Sequence, residues 1–548
     1  MDSLSYIVSQ VCPNPEFTNS TMAKLQAITL LAYVLGIGAT PLQSAARAAA
    51  VPCEQLTLPS LPGLQVSSLQ GTTKKGYMSP LLPTLPLDIC SVNISYNHQG
   101  ENDITWVNIW LPLDNWNGRW QATGGGGLAT GYGDLYLLGA APFGYSTGTT
   151  EGGLTLNGTI NAQSGAWALK SDNTPNESLI KNFAYRALHD MNLMGKSLTQ
   201  SFYGQAPAYS YYTGCSTGGR MGYLSAQVYP DDFDGIMANA PAVNSPEISP
   251  GDYWPTVVML NLGAPPQCVF NAYYNATLAY CDPLDGVKDG LISNLGSCNY
   301  DPNTLVGTQI PCSDTSSTVT ITQAYADVVS LIWQGSTNVN GAALFPGNPR
   351  GAAFTGLANT TTTNGVTVPV PFTSAEFWIK YLVTHNPNYP TRNMTFADFD
   401  SVFESSVVQL SSVIGTMEPN LTAFQAAGNK LLTWQGLADQ LITPYGTMLY
   451  RNNLSRQMAL TQAQINDFYR VFFAPGVAHC GGGIGPVPTD PLDALVAWVE
   501  HKQAPATLAA SVAVSPTANL TRNLCPYPQL LTYNGQGNVN DAASFSCK

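Results

Sequence analysis

The fold is decided by residues 211–220, which have the sequence YYTGCSTGGR. Gly214, Ser216 and Gly218 stand at the Gly-x-Ser-x-Gly spacing of a nucleophile elbow, where a serine lies on a sharp turn between a strand and a helix. A side chain at either glycine would clash in so tight a turn. The aromatic run before the turn predicts a strand over 208–212, and residues 219–229 predict a helix. A Gly- and Ser-rich turn without chemistry is the alternative.

The composition indicates a large protein with a well-buried interior and few charges. The chain has 548 residues, of which 44% are hydrophobic and only 10% charged. This length predicts one large domain with an insertion, or two to three domains. The net charge of −13 argues against nucleic acid or an anionic membrane as the partner.

Cysteine usage and glycosylation signals predict a secreted, extracellular protein. The eleven cysteines lack the paired spacing of zinc sites, so disulfides are the better interpretation. A high density of N-x-S/T sequons supports the same compartment. Nine asparagines after residue 50 begin such sequons: Asn93, Asn157, Asn176, Asn275, Asn359, Asn393, Asn420, Asn453 and Asn519.

Residues 1–50 are interpreted as a leader with a secretory signal. Met22 opens a basic region, residues 27–39 are apolar, and small residues follow. The apolar run is too short for a transmembrane span, and an N-terminal membrane anchor is the alternative. The layout also predicts that the true start is Met22, which removes Cys12 and leaves ten cysteines.

Four glycines, Gly124–Gly127, follow a strand predicted over 120–123. Their N–H groups are open to a ligand, and in a hydrolase with an elbow the loop after an early strand supplies one donor of the oxyanion hole. We expect the N–H of Thr217 and that of Gly126 or Gly127 to hold the oxyanion. A phosphate-binding or merely flexible loop is the alternative, but no Gly-Lys-Ser/Thr follows.

A base and a carboxylate are available for a catalytic serine, which needs both for acyl transfer. Ser216, Asp439 and His479 stand in the chain order that is typical of α/β hydrolases. Asp439 and His479 each follow a predicted strand. The chain has four other histidines, for which structural interpretations suffice: His98, His189, His385 and His501.

The alternation of strands and helices predicts an α/β fold with a mainly parallel sheet. After residue 246 the texture changes to cysteines, sequons and Thr/Asn-rich runs, which indicates an inserted lid domain. The predicted division is a leader and signal segment, the first part of an α/β-hydrolase core, the lid with a calcium loop, and the second part of the core: 1–50, 51–246, 247–425 and 426–548.

A loop in the predicted lid gathers carboxylates. Residues 281–291 have the sequence CDPLDGVKDGL, with its aspartates three and four residues apart. Calcium takes about six to eight oxygen ligands, and backbone carbonyls could complete the set, so we expect a structural calcium ion. An Asx-rich turn is the alternative. The predicted ligands are three carboxylates and two carbonyls: Asp282, Asp285, Asp289, Val287 and Leu291.

Two cysteines adjoin the candidate catalytic residues. Cys215 precedes Ser216, and Cys480 follows His479. A disulfide between them would join the two loops, because it holds Cα atoms about 5.5 Å apart. Each cysteine could instead pair elsewhere, since connectivity cannot be deduced from sequence.

Four motifs together resemble the tannase and feruloyl esterase family. They are GCSTGGR at 214–220, DPLDGVKDG at 282–290, GLAD at 436–439 and HCGGG at 479–483. The adjacent Cys-Ser and His-Cys pairs are the specific part, and the resemblance covers most of the chain from about Cys53. It implies an α/β-hydrolase core, a lid with structural calcium bound by the five ligands above, and hydrolysis of phenolic esters.

The resemblance also implies roles for single residues. Ser216, Asp439 and His479 would be the triad, and Cys215–Cys480 the disulfide beside it. We further predict four local disulfides: Cys53–Cys90, Cys268–Cys281, Cys298–Cys312 and Cys525–Cys547.

The leading interpretation is a secreted serine esterase whose substrate is a small or polysaccharide-linked aromatic ester of feruloyl or galloyl type. A serine peptidase with the same triad is the first alternative. A non-catalytic glycoprotein that binds a phenolic or a glycan is the second.

Overall fold

The computed structural model describes residues 49–417, 419–516 and 518–548. The predicted signal and the predicted start at Met22 lie outside these residues. Among the helices of the described ranges, none has the length and apolarity needed to cross a membrane.

The central sheet contains nine strands in the order β1-β2-β3-β5-β4-β6-β7-β14-β15. The described part of the chain contains the strands β1 (Leu64–Ser79), β2 (Leu82–His98), β3 (Thr105–Pro112), β4 (Arg119–Thr123), β5 (Ser146–Thr150), β6 (Tyr209–Cys215), β7 (Gly235–Asn239), β8 (Gln309–Cys312), β9 (Ser317–Thr320), β10 (Gly335–Thr337), β11 (Ala343–Pro346), β12 (Asn359–Thr363), β13 (Val366–Val370), β14 (Lys430–Gly436), β15 (Tyr469–Ala474), β16 (Val487–Pro488), β17 (Leu508–Ser515), β18 (Ala518–Leu524), β19 (Leu531–Tyr533) and β20 (Phe545–Cys547).

One part of this sheet is antiparallel and the other parallel. Strands β1, β2, β3 and β5 pair antiparallel. Strands β5, β4, β6, β7, β14 and β15 pair in parallel. The predicted α/β fold with a mainly parallel sheet is confirmed. The antiparallel hairpin β1-β2, whose strands are joined by a two-residue turn, was not predicted.

Helices cover the sheet and fill the segment between β7 and β14. They are α1 (Asp134–Leu137), α2 (Glu177–Lys181), α3 (Ala187–Tyr203), α4 (Thr217–Val228), α5 (Ser245–Gly251), α6 (Trp254–Leu262), α7 (Gln267–Cys281), α8 (Gln323–Gln334), α9 (Thr373–Phe377), α10 (Phe396–Ile414), α11 (Thr422–Ala426), α12 (Pro444–Gln457), α13 (Gln462–Asn466) and α14 (Pro491–His501). Residues Asn182–Arg186 and Trp378–Val383 form π-helical turns, and short 3₁₀ turns occur elsewhere.

Both faces of the parallel part are buried. Tyr211 and Tyr212 are neighbours in β6, so their side chains point to opposite faces. Tyr212 packs in a cluster with Leu198 of α3 and Met221 of α4. Tyr211 packs in a second cluster with Leu495 of α14. Parallel strands that are covered in this way have only their ends free for chemistry.

The segment between β7 and β14 contributes no described strand to the central sheet. Its strands form three separate two-stranded sheets, β8-β9, β10-β11 and β12-β13. Because β7 and β14 pair with each other, the chain leaves the sheet and returns to it at adjacent positions. The division of the chain at residues 246 and 425 stays a prediction.

The described residues contain five disulfides, and three of them were predicted correctly. The five disulfides are Cys53–Cys90, Cys215–Cys480, Cys268–Cys312, Cys281–Cys298 and Cys525–Cys547. The correctly predicted ones are Cys53–Cys90, Cys215–Cys480 and Cys525–Cys547. The predicted pairs Cys268–Cys281 and Cys298–Cys312 are wrong. Cys268 lies in the first turn of α7 and Cys281 is its last residue. At a rise of about 1.5 Å per residue the two are roughly 20 Å apart, too far for a disulfide.

Candidate active site

Ser216 lies where β6 ends and α4 begins, as the elbow spacing predicts. Its backbone has φ 64° and ψ −124°. A positive φ is uncommon outside glycine and marks strain that the surroundings must hold. The Ser216 N–H donates to the Asn239 carbonyl oxygen of β7 at 3.1 Å. The turn is thereby fixed to the neighbouring strand.

Close backbone contacts explain the glycines of the elbow. A Cβ at Gly214 would lie 2.7 Å from the carbonyl group of Gly218. A Cβ at Gly218 would lie 2.8 Å from the carbonyl oxygen of Gly125 in the glycine loop. Any side chain at either position would therefore push the strand, the helix or the loop apart.

Asp439 and His479 lie together in the loops that follow β14 and β15. His479 Nδ1 is 3.0 Å from Asp439 Oδ2 and 3.1 Å from Oδ1. Asp439 Oδ1 also accepts hydrogen bonds from the N–H groups of Leu441 and Ile442, at 3.0 and 2.9 Å. The Asp439 side chain is fully buried, whereas that of His479 is 14% exposed. The carboxylate is thus fixed and can orient an imidazole that remains accessible.

Backbone hydrogen bonds join the two loops. The Leu437 N–H donates to the Ala474 carbonyl oxygen at 2.9 Å. The Gln440 side chain adds a contact that was not predicted, since its Oε1 accepts from the His479 N–H at 3.1 Å. Gln440 directly follows Asp439 in the sequence, but no motif marked it as a residue that holds the histidine loop.

The Cys215–Cys480 disulfide brings the elbow and the histidine loop together. Its Cα atoms are 5.9 Å apart. Cys480 Sγ also lies 3.5 Å from His479 Nε2, so this ring nitrogen faces the disulfide rather than Asp439. In the described part of the chain Ser216 Oγ makes no hydrogen bond. Catalytic hydrogen bonds often tighten only when substrate binds.

The glycine loop lies against the first turn of α4. The Gly218 N–H donates to the Gly125 carbonyl oxygen at 2.9 Å. The Thr217 hydroxyl donates to the Gly127 carbonyl oxygen at 2.7 Å. The Thr217 N–H begins the helix and has no partner within it. Among the described residues, the Gly127 N–H also donates to no acceptor.

A small pocket lies beside Asp439, on the side of the inserted segment. Asp252, Phe345 and Asn348 line it together with Asp439. Burial, and then the negative charge of Asp439, raise the pKa of Asp252 well above its usual value. A neutral Asp252 would place no second negative charge beside Asp439.

The loop predicted to bind calcium is tightly hydrogen-bonded. Asp282 Oδ1 accepts from the N–H groups of Asp289 and Gly290, at 3.0 and 3.1 Å. Asp289 Oδ2 is 2.5 Å from Nη2 of the buried Arg522, which follows much later in β18. Arg522 compensates Asp289, but no such cation contacts Asp282 or Asp285 among the described residues.

The electrostatics of this loop leave negative charge poorly compensated. Burial is the main cause that raises the pKa of Asp282 and that of Asp285, and the charge of Asp289 adds to both shifts. Val287 and Leu291, the predicted carbonyl ligands, are buried residues of the same loop. These residues offer oxygen donors of the kind that calcium takes, but the three aspartates do not form a group whose carboxylate oxygens lie within 4.8 Å of one another.

Two groups in the described ranges do bring three potential metal ligands within 4.8 Å of one another, and neither contains an aspartate of this loop. The first group consists of Cys268, Cys312 and Asp314, and its two cysteines already form a disulfide with each other. The second group consists of His98, Glu101 and Asp103. It is part of a buried network of ion pairs, and neither group needs a metal to account for it.

Comparisons with known proteins agree with this geometry. The family model described as "Tannase and feruloyl esterase" matches residues 90–548. A probable feruloyl esterase of Arthroderma benhamiae is 43% identical over 506 residues, which cover 90% of this chain and 93% of that protein. A probable feruloyl esterase B-1 of Aspergillus fumigatus is 31% identical over 487 residues, covering 84% of this chain and 86% of that protein.

Solved structures show the same likeness. The tannin acyl hydrolase from Aspergillus niger has a TM-score of 0.80 and 26% identity, covering 90% of this chain and 93% of that chain. Feruloyl esterase B from Aspergillus oryzae has a TM-score of 0.75 and 28% identity, covering 89% of this chain and 97% of that chain.

The fold and the elbow define an α/β hydrolase, which confirms the predicted fold class. More narrowly, the chain belongs to the tannase and feruloyl esterase family, and it is a carboxylic ester hydrolase. The resemblance that the four sequence motifs indicated is confirmed.

Proposed function

We propose that this chain is a secreted serine esterase that hydrolyses phenolic esters of feruloyl or galloyl type. The observation that carries the proposal is the hydrogen-bonded His479–Asp439 pair and its link to the elbow. The link is the disulfide between Cys480, which follows His479, and Cys215, which precedes Ser216. Ser216, Asp439 and His479 follow the carboxyl ends of β6, β14 and β15, and sites of open α/β folds lie at that edge of the sheet.

The reaction would begin with attack of Ser216 Oγ on the ester carbonyl carbon. His479 Nε2 takes the hydroxyl proton, and Asp439 stabilises the imidazolium. The C–O bond to the alcohol then breaks, and His479 returns the proton to the leaving oxygen. Water repeats the sequence on the acyl-enzyme, which releases the acid and restores Ser216.

Two backbone N–H groups are proposed to hold the oxyanion. The Thr217 N–H stands at the start of α4, where the helix dipole favours negative charge. The Gly127 N–H comes from the loop that the Thr217 hydroxyl contacts. The Gly126 N–H, the other predicted contributor, stays an alternative donor from the same loop. Removal of one such donor typically costs about 10²–10³ in turnover.

The substrate class rests on the names of the relatives, which are feruloyl esterases and a tannin acyl hydrolase. Turnover of methyl ferulate, methyl caffeate and methyl gallate tests it, with Ser216→Ala as the control that removes the nucleophile. We expect hydrolysis of at least one ester, and none of the matching amides. Equal turnover of esters and amides would support a peptidase instead.

Secretion is supported by the five disulfides and by the positions of the sequons. None of the nine sequon asparagines is buried, so each can carry a glycan. N-terminal sequencing of protein from culture medium, and its mobility before and after glycosidase treatment, test this part. An intact segment before Met22 on the secreted protein would contradict it.

We propose that residues 247–425 act as a lid over the site and that their acidic loop binds structural calcium. Asp282, Asp285 and Asp289 would hold the ion with the carbonyls of Val287 and Leu291. A bound ion stabilises the folded state by mass action.

The calcium proposal predicts that chelation lowers the melting temperature. Asp285→Asn should remove this response, whereas Asp327→Asn, which changes an exposed carboxylate of α8, should preserve it. A melting curve indifferent to chelator, together with no calcium by elemental analysis, would leave the turn interpretation.

A further inference from the structure

The side-chain amide of Gln163 contacts the glycine loop twice. Gln163 lies in the 3₁₀ turn Ala162–Ser164. Its Nε2 donates to the Gly126 carbonyl oxygen at 2.8 Å, and its Oε1 accepts from the Leu128 N–H at 2.9 Å. A primary amide offers a donor and an acceptor side by side, so one side chain satisfies both groups.

These two hydrogen bonds fix successive peptide planes. In a trans peptide the carbonyl and the N–H point in opposite directions. The Gly126 carbonyl and the Gly127 N–H share one peptide, so the N–H points away from Gln163. In the next peptide, Leu128 N–H meets Gln163 while the Gly127 carbonyl oxygen accepts from the Thr217 hydroxyl. The elbow residue Thr217 therefore contacts the side of the loop that faces away from Gln163. The Gly127 N–H points to that same side.

The fit between Gln163 and the loop is close. Gly127 has φ +58°, and a Cβ there would lie 2.3 Å from Gln163 Oε1. Trp167 adds a second support, since its Nε1 donates to the Leu128 carbonyl oxygen at 3.1 Å. The conformation of the loop is thus determined by the segment 162–167 as well as by the elbow.

We propose that Gln163 is a positioning residue for ester hydrolysis, which aims the Gly127 N–H at the oxyanion formed when Ser216 attacks. The proposal rests on the serine mechanism and oxyanion hole described under Proposed function. Gln163 itself touches neither substrate nor reacting atoms in this account. It acts only through the peptide that it orients.

Gln163→Ala and Gln163→Glu test the proposal. The alanine removes both hydrogen bonds, and an ionised glutamate keeps the acceptor but loses the donor to the Gly126 carbonyl. We expect kcat on methyl ferulate or methyl gallate to fall about 10- to 100-fold in both variants, because a misplaced donor loses most of its stabilising effect. KM should change less than about threefold, because the oxyanion exists only in the transition state and intermediates.

A second measurement follows the serine directly. A fluorophosphonate forms a tetrahedral adduct whose oxygen occupies the oxyanion position, so its rate of reaction with Ser216 should fall in parallel with kcat. Ser164→Ala is the matched control, since it changes the same 3₁₀ turn and its hydroxyl accepts only from the Ala166 N–H, at 3.3 Å. Active sites are counted by titration, so that misfolded protein does not lower kcat.

The outcomes separate this inference from the mechanism on which it rests. An inactive Ser216→Ala with near-normal kcat in both Gln163 variants would overturn the role of Gln163 alone. A Ser216→Ala that retains turnover would overturn the mechanism itself. If the Gln163 variants raise KM and leave kcat unchanged, or if Ser164→Ala loses as much kcat as they do, the amide is only a structural support.

Discussion

Two histidine–carboxylate arrangements in this molecule differ in which ring nitrogen they leave free. His98 Nδ1 is 2.7 Å from Asp103, and its Nε2 is 2.9 Å from Asp190. His479 Nδ1 is paired with Asp439, but its Nε2 faces the Cys215–Cys480 disulfide. The first imidazole has a carboxylate on each nitrogen and no route for proton exchange with a substrate. The second has one nitrogen available, and general base catalysis requires that.

The surroundings of His98 also determine its charge. Burial alone would lower the pKa of His98, but hydrogen bonds to Asp103 and Asp190 outweigh it and raise the pKa to about 9. His98 is therefore the cation of a buried ion-pair network that also includes Arg186. Such a network contributes to folding, whereas the proposed mechanism requires His479 to take up and release a proton in every catalytic cycle.

The largest effect that separates the two histidines is expected on turnover. His479→Ala should lower kcat on a phenolic ester on the order of 10⁴-fold or more, because the base of a catalytic triad is lost. The double variant with Ser216→Ala should be no worse, since the two residues act as a unit. His98→Gln is the matched comparison and should retain kcat per folded molecule. Comparable kcat losses in His479→Ala and His98→Gln would remove the distinction between the two sites.

The order of the two variants should reverse for stability: His98→Gln should lower the free energy of unfolding more than His479→Ala does. His98→Gln leaves the buried Asp190 without its ion-pair partner and leaves Asp103 with Arg186 alone, at 3.7 Å, and breaking a buried pair in this way costs about 3–5 kcal/mol. Asp103 keeps a hydrogen bond from Asn182 Nδ2, so the lower end of this range is expected. Denaturant unfolding of both histidine variants measures the difference, and His479→Ala should be far less destabilised. A His98→Gln protein as stable as the wild type would contradict the structural role of His98.

Two disulfides extend the comparison, because Cys215–Cys480 lies next to His479 whereas Cys53–Cys90 does not. Replacement of both Cys215 and Cys480 by Ala should lower kcat about tenfold or more, since small displacements of a base can cost about 10²-fold. Replacement of both Cys53 and Cys90, which are bonded to each other at the antiparallel end of the sheet, should lower stability with little change in kcat. If the two double variants lose kcat equally, the site disulfide acts as an ordinary crosslink.

The smallest expected effect is a pH dependence of stability. The pKa of His98 is raised from 6.5 to about 9, so folding takes up a proton between these values. The stabilisation from His98 is complete below about pH 6.5 and is lost as the pH rises through about 9. Melting temperatures from pH 6 to 10 should fall more steeply in the wild type than in His98→Gln. Parallel curves would show that folding does not raise the pKa of His98.

The sequence predicted those parts of the site that depend on local constraints or on chain order. Gly214 and Gly218 are required by contacts within a few residues of Ser216, so a short motif records them. Asp439 and His479 follow strands whose carboxyl ends meet at one edge in any parallel sheet of this order. The residues that hold the loops, Gln163 among them, belong to no motif and come from distant segments.

The wrong disulfides and the contacts that were not predicted also depend on how distant or unpredicted segments fold. Cys268 and Cys281 are close in sequence, but a helix that was not predicted separates them. The ion pair between Asp289 and Arg522 joins residues 233 positions apart, and only the folded chain shows it. Likewise, His98 ends β2 and its two carboxylate partners come from the following loop and from α3, so the sequence showed only a histidine without an evident partner.

The central claim is that Ser216 is the nucleophile, activated by His479. Peptide mass spectrometry of the protein after reaction with a fluorophosphonate tests it most directly. The account predicts one phosphonyl group on the peptide that contains Ser216, complete loss of ester hydrolysis with it, no adduct in Ser216→Ala and a much slower reaction in His479→Ala. An adduct on another residue that abolishes activity, or undiminished ester hydrolysis in Ser216→Ala, would contradict it.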